Sequence, residues 1–181
     1  WIEAPTIATG RTCGGPGTGT AASSLAAAGR SPAVKAATAA NGVCQVANDN
    51  GGGQVVISGA KGAIDKAIDI AKEKGIRRAM LLPVSAPFHC ALMQPAADAM
   101  AAALKTVTVK APIVPVVANV LARPITDPAA IVDSLVRQVT ATVRWRESVA
   151  FMAGEGVTTF YEIGAGKVLS GLVKRIAEGV S

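Results

Sequence analysis

The 181 residues are 50% hydrophobic and 17% charged, which is enough apolar mass to bury a core and too much for wholesale disorder. Eighteen Lys and Arg against twelve Asp and Glu leave a net charge of +6, which favours acidic partners such as phosphates, nucleic acid or an acidic protein. The longest apolar runs, residues 79–84 and 113–120, are short and broken by proline, whereas a membrane-spanning helix needs roughly 20 residues, so a soluble chain with no membrane partner is expected.

Cys13, Cys44 and Cys90 are odd in number, far apart and form no CxxC pair, while His89 is the single histidine. That inventory predicts neither a disulfide framework nor a metal site, and a reducing, cytoplasmic setting follows. No charged-then-apolar leader with a small-residue cleavage site opens the chain, so export is not expected.

Residues 1–30 interleave Gly14, Gly15, Gly17 and Gly19 with Thr, Ala and Ser and hold neither a helix nor a strand period. From Ser31 the texture changes: Ser31-Pro32 reads as an N-cap and first helical position, with a helix over 33–40 that Asn41-Gly42 stops. Strand-like 43–47 and 54–58 flank Asn48-Asp49-Asn50-Gly51-Gly52-Gly53, a hairpin loop that tolerates positive φ. A helix over 61–74 follows, with Ile64, Ala67, Ile68 and Ala71 on one face and Gly75 as its stop, and then a strand over 76–84. Helix, hairpin, helix, strand is a ferredoxin-like unit (βαββαβ) without its first strand, which would have to come from before Ser31.

Beyond residue 84 a larger α/β layer is expected. It comprises a helix over 91–104 with Leu92, Ala96, Met100 and Leu104 in a stripe and Pro95 in its first turn, then a buried strand over 113–120 and a helix over 128–139 opened by Asp127. A helix over 146–154, a strand over 158–163, a Gly164-Ala165-Gly166 turn and a helix over 167–178 complete it. Three parts result: an unassigned 1–30, an incomplete ferredoxin-like small subdomain over 31–85, and a second α/β part over 86–181.

His89 follows a strand and a proline-containing loop and precedes a helix, where a neutral imidazole can accept a proton. A capping or packed histidine is the plainer alternative, and the surrounding residues weigh against it. LPVSAPFHCALMQPA at 82–96 resembles the catalytic-histidine segment of the malonyl-CoA:acyl carrier protein transacylases. The resemblance continues in family order through QVVISG at 54–59, PVVANV at 115–120, LVRQ at 135–138 and YEIGAGKVL at 161–169, covers about 31–181, and corresponds to the family's rear portion.

This resemblance implies an α/β fold made of the ferredoxin-like subdomain and the C-terminal part of an α/β-hydrolase-like acyltransferase core. It implies a serine/histidine two-step transfer of malonyl from coenzyme A to the phosphopantetheine thiol of acyl carrier protein, as in fatty acid biosynthesis. His89 would be general base and then general acid, oriented by the backbone carbonyl of Gln138 rather than by a carboxylate. Phe88, the bulky residue before the histidine, resembles the malonyl-selective pattern of related acyltransferases, where excluding one methyl is worth about 1–3 kcal/mol; an ordinary core phenylalanine is the alternative. The family places an asparagine of the hairpin loop toward the substrate cleft, which makes Asn48 or Asn50 a substrate contact; Asn119, at the end of a buried strand, could donate a hydrogen bond to the substrate-binding region, with strand-end structural duty as the alternative. Malonyl-CoA and acyl carrier protein are the implied partners, with coenzyme A thioester as substrate and no separate cofactor.

The chain also departs from the pattern: no G-x-S-x-G nucleophile elbow occurs in it, nor the family's glutamine-rich oxyanion loop or carboxylate-binding arginine. Ser58, Ser85 and Ser170, and Arg123, Arg144 and Arg146, do not match those missing positions. The expectation is a truncated transacylase, inactive alone, whose residues 1–30 derive from a shifted reading frame or unrelated sequence. Gly164-Ala165-Gly166-Lys167 lacks the glycine and Ser/Thr of a phosphate loop and reads as a strand-to-helix turn. Arg77, Arg78, Lys167, Lys174 and Arg175 could form a docking face for an acidic carrier protein, and a non-catalytic carrier-binding module is the alternative function. An RNA-binding ferredoxin-like domain is disfavoured by 3% aromatics, which leave no stacking platform, so no nucleic-acid partner is expected.

Overall fold

The computed structural model describes residues 19–23, 42–76 and 79–181. The expected helix over 33–40, Arg77, Arg78, Cys13 and most of the 1–30 segment lie outside these residues.

Strands β2 (Cys44–Asp49) and β3 (Val55–Ala60) form the expected hairpin, with Gln45 opposite Ser58 and a bulge between Val46 and Asn48. Its tip closes through Asn50 N–H to Gln54 O (3.0 Å) and Gln54 N–H to Gly51 O (2.9 Å). Gly51 has φ +74°, and a Cβ there would meet Ile176 Cγ1 at 2.6 Å, so the tip lies against the last helix as only glycine allows. Gly59 is equally constrained, because a Cβ would come within 2.0 Å of Val43 O.

Helix α1 (Lys61–Glu73) buries Ala63, Ile64, Ala67, Ile68 and Ala71 against Val55, Ile57 and Cys44 of the sheet, and this is the best-packed core among the described residues. It ends at Gly75, φ +78°, with Gly75 N–H on Lys72 O and Ile76 N–H on Ala71 O, a Schellman closure.

Strand β1 (Gly19–Ser23) corrects the reading of its segment as lacking strand structure. GTAAS shows no alternation for sequence to report, yet β1 bonds antiparallel to both β3 and β4 (Met80–Leu82), and pairing on both sides supplies what propensity does not. The sheet order is β2-β3-β1-β4. Of the strand expected over 76–84, with 77 and 78 outside the described residues, β4 forms at the three residues that find β1 as partner.

The segment after β4 also differs from expectation. A 3-10 turn (Ala91–Met93) precedes α2 (Gln94–Leu104), because Pro95 carries no N–H and belongs in a first turn. Only Ala97 of α2 is buried, and the expected stripe of Leu92, Ala96 and Met100 faces outward. Of the strand expected over 113–120, just β5 (Val116–Val117) forms, paired with β6 (Pro124–Ile125), while Ile113 and Val114 are exposed. The strand expected over 158–163 is absent: Phe160 N–H reaches Ser181 O (2.6 Å) and Ser181 N–H reaches Thr158 O (2.9 Å), but Tyr161 is 85% and Ile163 95% exposed. Strands exist by pairing, and these two segments find no full neighbour among the described residues.

Helices α3 (Pro128–Arg137), α4 (Trp145–Gly154) and α5 (Val168–Ile176) complete the chain. The Asp127 carboxylate accepts from Ala130 N–H (2.8 Å) with Pro128 in the first turn, the cap expected there. No helix among the described residues is long and apolar enough to cross a membrane.

Candidate active site

His89 lies at the end of a loop whose backbone is tightly constrained. Phe88 N–H donates to Ala86 O (3.0 Å), the buried Cys90 Sγ donates to Pro87 O (3.1 Å), and His89 itself takes φ +60°. A non-glycine residue in that left-handed region costs about 1–2 kcal/mol, so neighbouring contacts must hold it. The ring is half-buried rather than sealed in the core.

Nδ1 of His89 is 2.8 Å from the backbone oxygen of Gln138. A carbonyl only accepts, so Nδ1 carries the proton and Nε2 of the neutral ring keeps its lone pair. Gln138 is the C-cap residue of α3, and the last carbonyls of a helix have no intrahelical partner and carry partial negative charge. A helix end can thus fix the tautomer of this ring as a carboxylate does in a Ser-His-Asp arrangement.

The Gln138 side chain is held as well, since its Oε1 accepts from Asn119 Nδ2 (3.0 Å). The backbone oxygen of Asn119 accepts from Arg144 N–H (3.0 Å), and the Arg144 guanidinium grips Leu121 O (3.1 Å), Val120 O (3.4 Å) and both oxygens of Glu147. Its bonds from Arg144 hold the Glu147 carboxyl below the usual carboxylate range. Arg144 therefore fixes the turn that presents Asn119. Arg146 pairs with Asp49 (3.0 Å) across to the hairpin, while Arg123 is exposed.

Of the expected site residues, the structure joins His89, Gln138 and Asn119 in one hydrogen-bonded set. Phe88 is 37% exposed and so is not a core residue. Asn48 and Asn50 are buried at the end of the hairpin, and among the described residues no hydrogen bond links them to that set. Asn48 approaches it through residues 142–144 instead. Asn48 bridges Val143, Val143 N–H donates to Ala47 O (2.8 Å), and Asp49 N–H donates to Val143 O (3.0 Å). Asn48 Nδ2 is buried without a hydrogen-bond partner.

Cys44, Ser58 and Ser170 do not fit the role of a nucleophile. Burial, helped by nearby Cys90, pushes the Cys44 thiol up to about 11, so it is not a thiolate at neutral pH. Ser58 is fully buried, and the Ser170 hydroxyl donates to Glu162 (2.6 Å). Glu162 also accepts from Leu169 N–H (3.1 Å) and Ser170 N–H (2.9 Å), which depresses its pKa and fills the α5 N-terminus with a carboxylate where a phosphate would otherwise lie. Among the described residues no three His, Cys, Asp or Glu side chains converge as metal ligands would. Sequence reading missed Arg144–Glu147 as the clamp of the Asn119 turn. Its available signal was the three-residue spacing of opposite charges at a helix start.

No family model matches the chain. Among curated proteins it is 53% identical over 131 residues to the malonyl CoA-acyl carrier protein transacylase of Salmonella typhimurium, which covers 72% of this chain and 42% of that protein. A solved acyl-carrier-protein S-malonyltransferase from Bartonella henselae superposes with a TM-score of 0.86 at 51% identity, over 91% of this chain and 52% of the other. A malonyl-transacylase solved in complex with a type II PKS acyl-carrier protein gives a TM-score of 0.84 at 41% identity, over 91% and 53%. The chain thus spans about two fifths of the curated relative's length and about half that of the solved ones. By sequence and by fold, this chain belongs to the malonyl CoA-acyl carrier protein transacylase family.

Proposed function

We propose that this chain carries the histidine half of a malonyl transfer site, exchanging malonyl between coenzyme A and the phosphopantetheine thiol of an acyl carrier protein in fatty acid synthesis. The observation that carries the reading is the 2.8 Å contact of His89 Nδ1 with the Gln138 carbonyl, which commits Nε2 to proton acceptance. A serine hydroxyl, supplied by polypeptide outside these residues, attacks the thioester carbonyl as Nε2 takes its proton. The coenzyme A sulfur then leaves and takes the proton from the imidazolium. In the second half the carrier thiol gives its proton to Nε2, attacks the seryl ester, and the serine oxygen recovers the proton.

A backbone carbonyl suffices as partner because a thiolate leaves more readily than an amine. The four-stranded sheet with α1, over 31–85 plus β1, is read as the ferredoxin-like small subdomain and 86–181 as the rear of an α/β-hydrolase-like core. The strand order β2-β3-β1-β4 supports that reading. Phe88 borders the acyl pocket, and Asn48, with its unpartnered buried amide, and Asn50 line the substrate side. Lys167, Lys174 and Arg175 are exposed and suit an acidic carrier protein. Two buried thiols, Cys44 and Cys90, suit a reducing cytoplasm.

The test is radiolabelled malonyl-CoA. The chain alone should take up no covalent label, and adding a polypeptide with the serine-bearing front half of a family member should give transfer to carrier protein. In that pair His89→Ala should lower kcat about 10²–10⁴-fold with its circular dichroism unchanged. Transfer by the His89→Ala pair at the parent's rate would remove His89 as base.

A further inference from the structure

The turn after His89 begins a helix whose first N–H groups need acceptors, and its own cap residue does not supply one. Cys90 is the N-cap of Ala91–Met93, yet it makes no side-chain cap bond, because its Sγ points back to Pro87 O. The acceptor comes instead from a different element: Gln45 Oε1 of β2 accepts from Ala91 N–H at 2.6 Å, across 46 positions of sequence. The pairing register places Gln45 opposite Ser58. Both occupy the sheet face turned away from α1, since Cys44 and Ile57, one position along each strand, pack against that helix. The loop carrying His89 is therefore tied to the back of the small sheet by one side chain.

We propose that Gln45 is a positioning residue for the His89 imidazole. The inference rests on reading His89 as the base. His89 holds φ +60°, and two bonds bracket that strained residue: Nδ1 to Gln138 O on the ring, and Ala91 N–H to Gln45 Oε1 two residues on. Without the second, the Cys90 Sγ to Pro87 O bond is left to hold the backbone across His89, and any relaxation toward an ordinary φ swings the ring off the Gln138 carbonyl. Gln45 thus keeps Nδ1 as the protonated nitrogen and Nε2 as the open one without touching the ring.

Because His89 is the only histidine, ¹⁵N-histidine labelling of the full chain reports this ring alone. In the parent, at a pH where the ring is neutral, the nitrogen shifts should mark a single tautomer protonated at Nδ1. Gln45→Met, which keeps the length and removes the acceptor, should move them to the tautomer mixture of a free imidazole. Gln45→Glu, which keeps an acceptor oxygen, should restore the parent pattern.

Ala91→Pro removes the same bond from the donor side. Proline is tolerated at a first helical position, and Cys90, at φ −142° and ψ 171°, already has the extended backbone a proline requires of its predecessor. Ala91→Pro should reproduce the Gln45→Met shifts, and the double variant should go no further. Retention of the single Nδ1 tautomer in Gln45→Met, loss of it in Gln45→Glu, or additive shifts in the double variant would each overturn the proposal. So would collapse of the fold in both single variants, which would assign Gln45 to folding instead. The readout needs no turnover, so it separates failure of this inference from failure of His89 as base.

Discussion

At the scale of single residues, the histidine depends on groups that carry little sequence signal. Gln138 acts through a backbone oxygen, which every residue has, so nothing but a resemblance could single it out across 49 positions. Asn119 was legible as a polar residue ending an apolar strand, while its actual partner, Gln138 Oε1, is a matter of tertiary placement. The carboxylates are the other residue-level feature with a measurable consequence. Glu162 titrates below its ordinary 4.5 because Ser170 and the α5 N–H groups bond its charged form. A carboxyl with a lowered folded pKa contributes stability that is complete above the unfolded value and fades as pH falls through the folded one. Acid titration followed by circular dichroism and amide exchange should show α5 loosening on that side only, never on the alkaline side. Glu162→Gln should flatten the acid dependence and leave α5 less protected at neutral pH. An unchanged acid profile in that variant would assign the loss to other groups, beginning with Glu147 beside Arg144.

At the scale of elements, legibility tracks whether the partner of each element lies within the described chain. The α1 stripe was readable because a sheet covers it: Ile64, Ala67, Ile68 and Ala71 are buried as their spacing predicts. Ile64→Ala should therefore cost about 2–5 kcal/mol in denaturant unfolding, the range for emptying a well-packed aliphatic site. A cost under about 1 kcal/mol would mean that this core is looser than its burial indicates. The residues over 113–120 and 158–163 have strand composition and largely lack strand structure, because a strand is defined by its neighbours and composition reports only the appetite for one. Strand β1 is the converse: its residues show no appetite, and two neighbours make it a strand. The 3-10 start of the helix after His89 was hidden for a smaller reason, that Pro95 permits more than one way of entering a helix.

For the whole molecule, α1 buries a core against the small sheet, while large apolar side chains stand on the surface at Met80 and Leu81 of β4 and, beyond residue 84, at Ile113, Val114, Tyr161 and Ile163. Exposed apolar side chains beside unpaired backbone invite association. The purified chain should elute as assemblies larger than a monomer, and the front half of a relative should convert them to a discrete one-to-one complex. A monomer with a sharp cooperative melt would contradict this.

The seam at residues 142–144 joins the two parts more firmly than their sequences suggest. Thr142 Oγ1 bonds Val46 O (2.5 Å), Val143 exchanges bonds with the hairpin, and Arg144 holds the Asn119 turn. A lever fixed at both ends cannot swing. Any breathing of one part against the other must therefore arise away from this seam, and the imidazole of His89 keeps its address beside the Gln138 carbonyl.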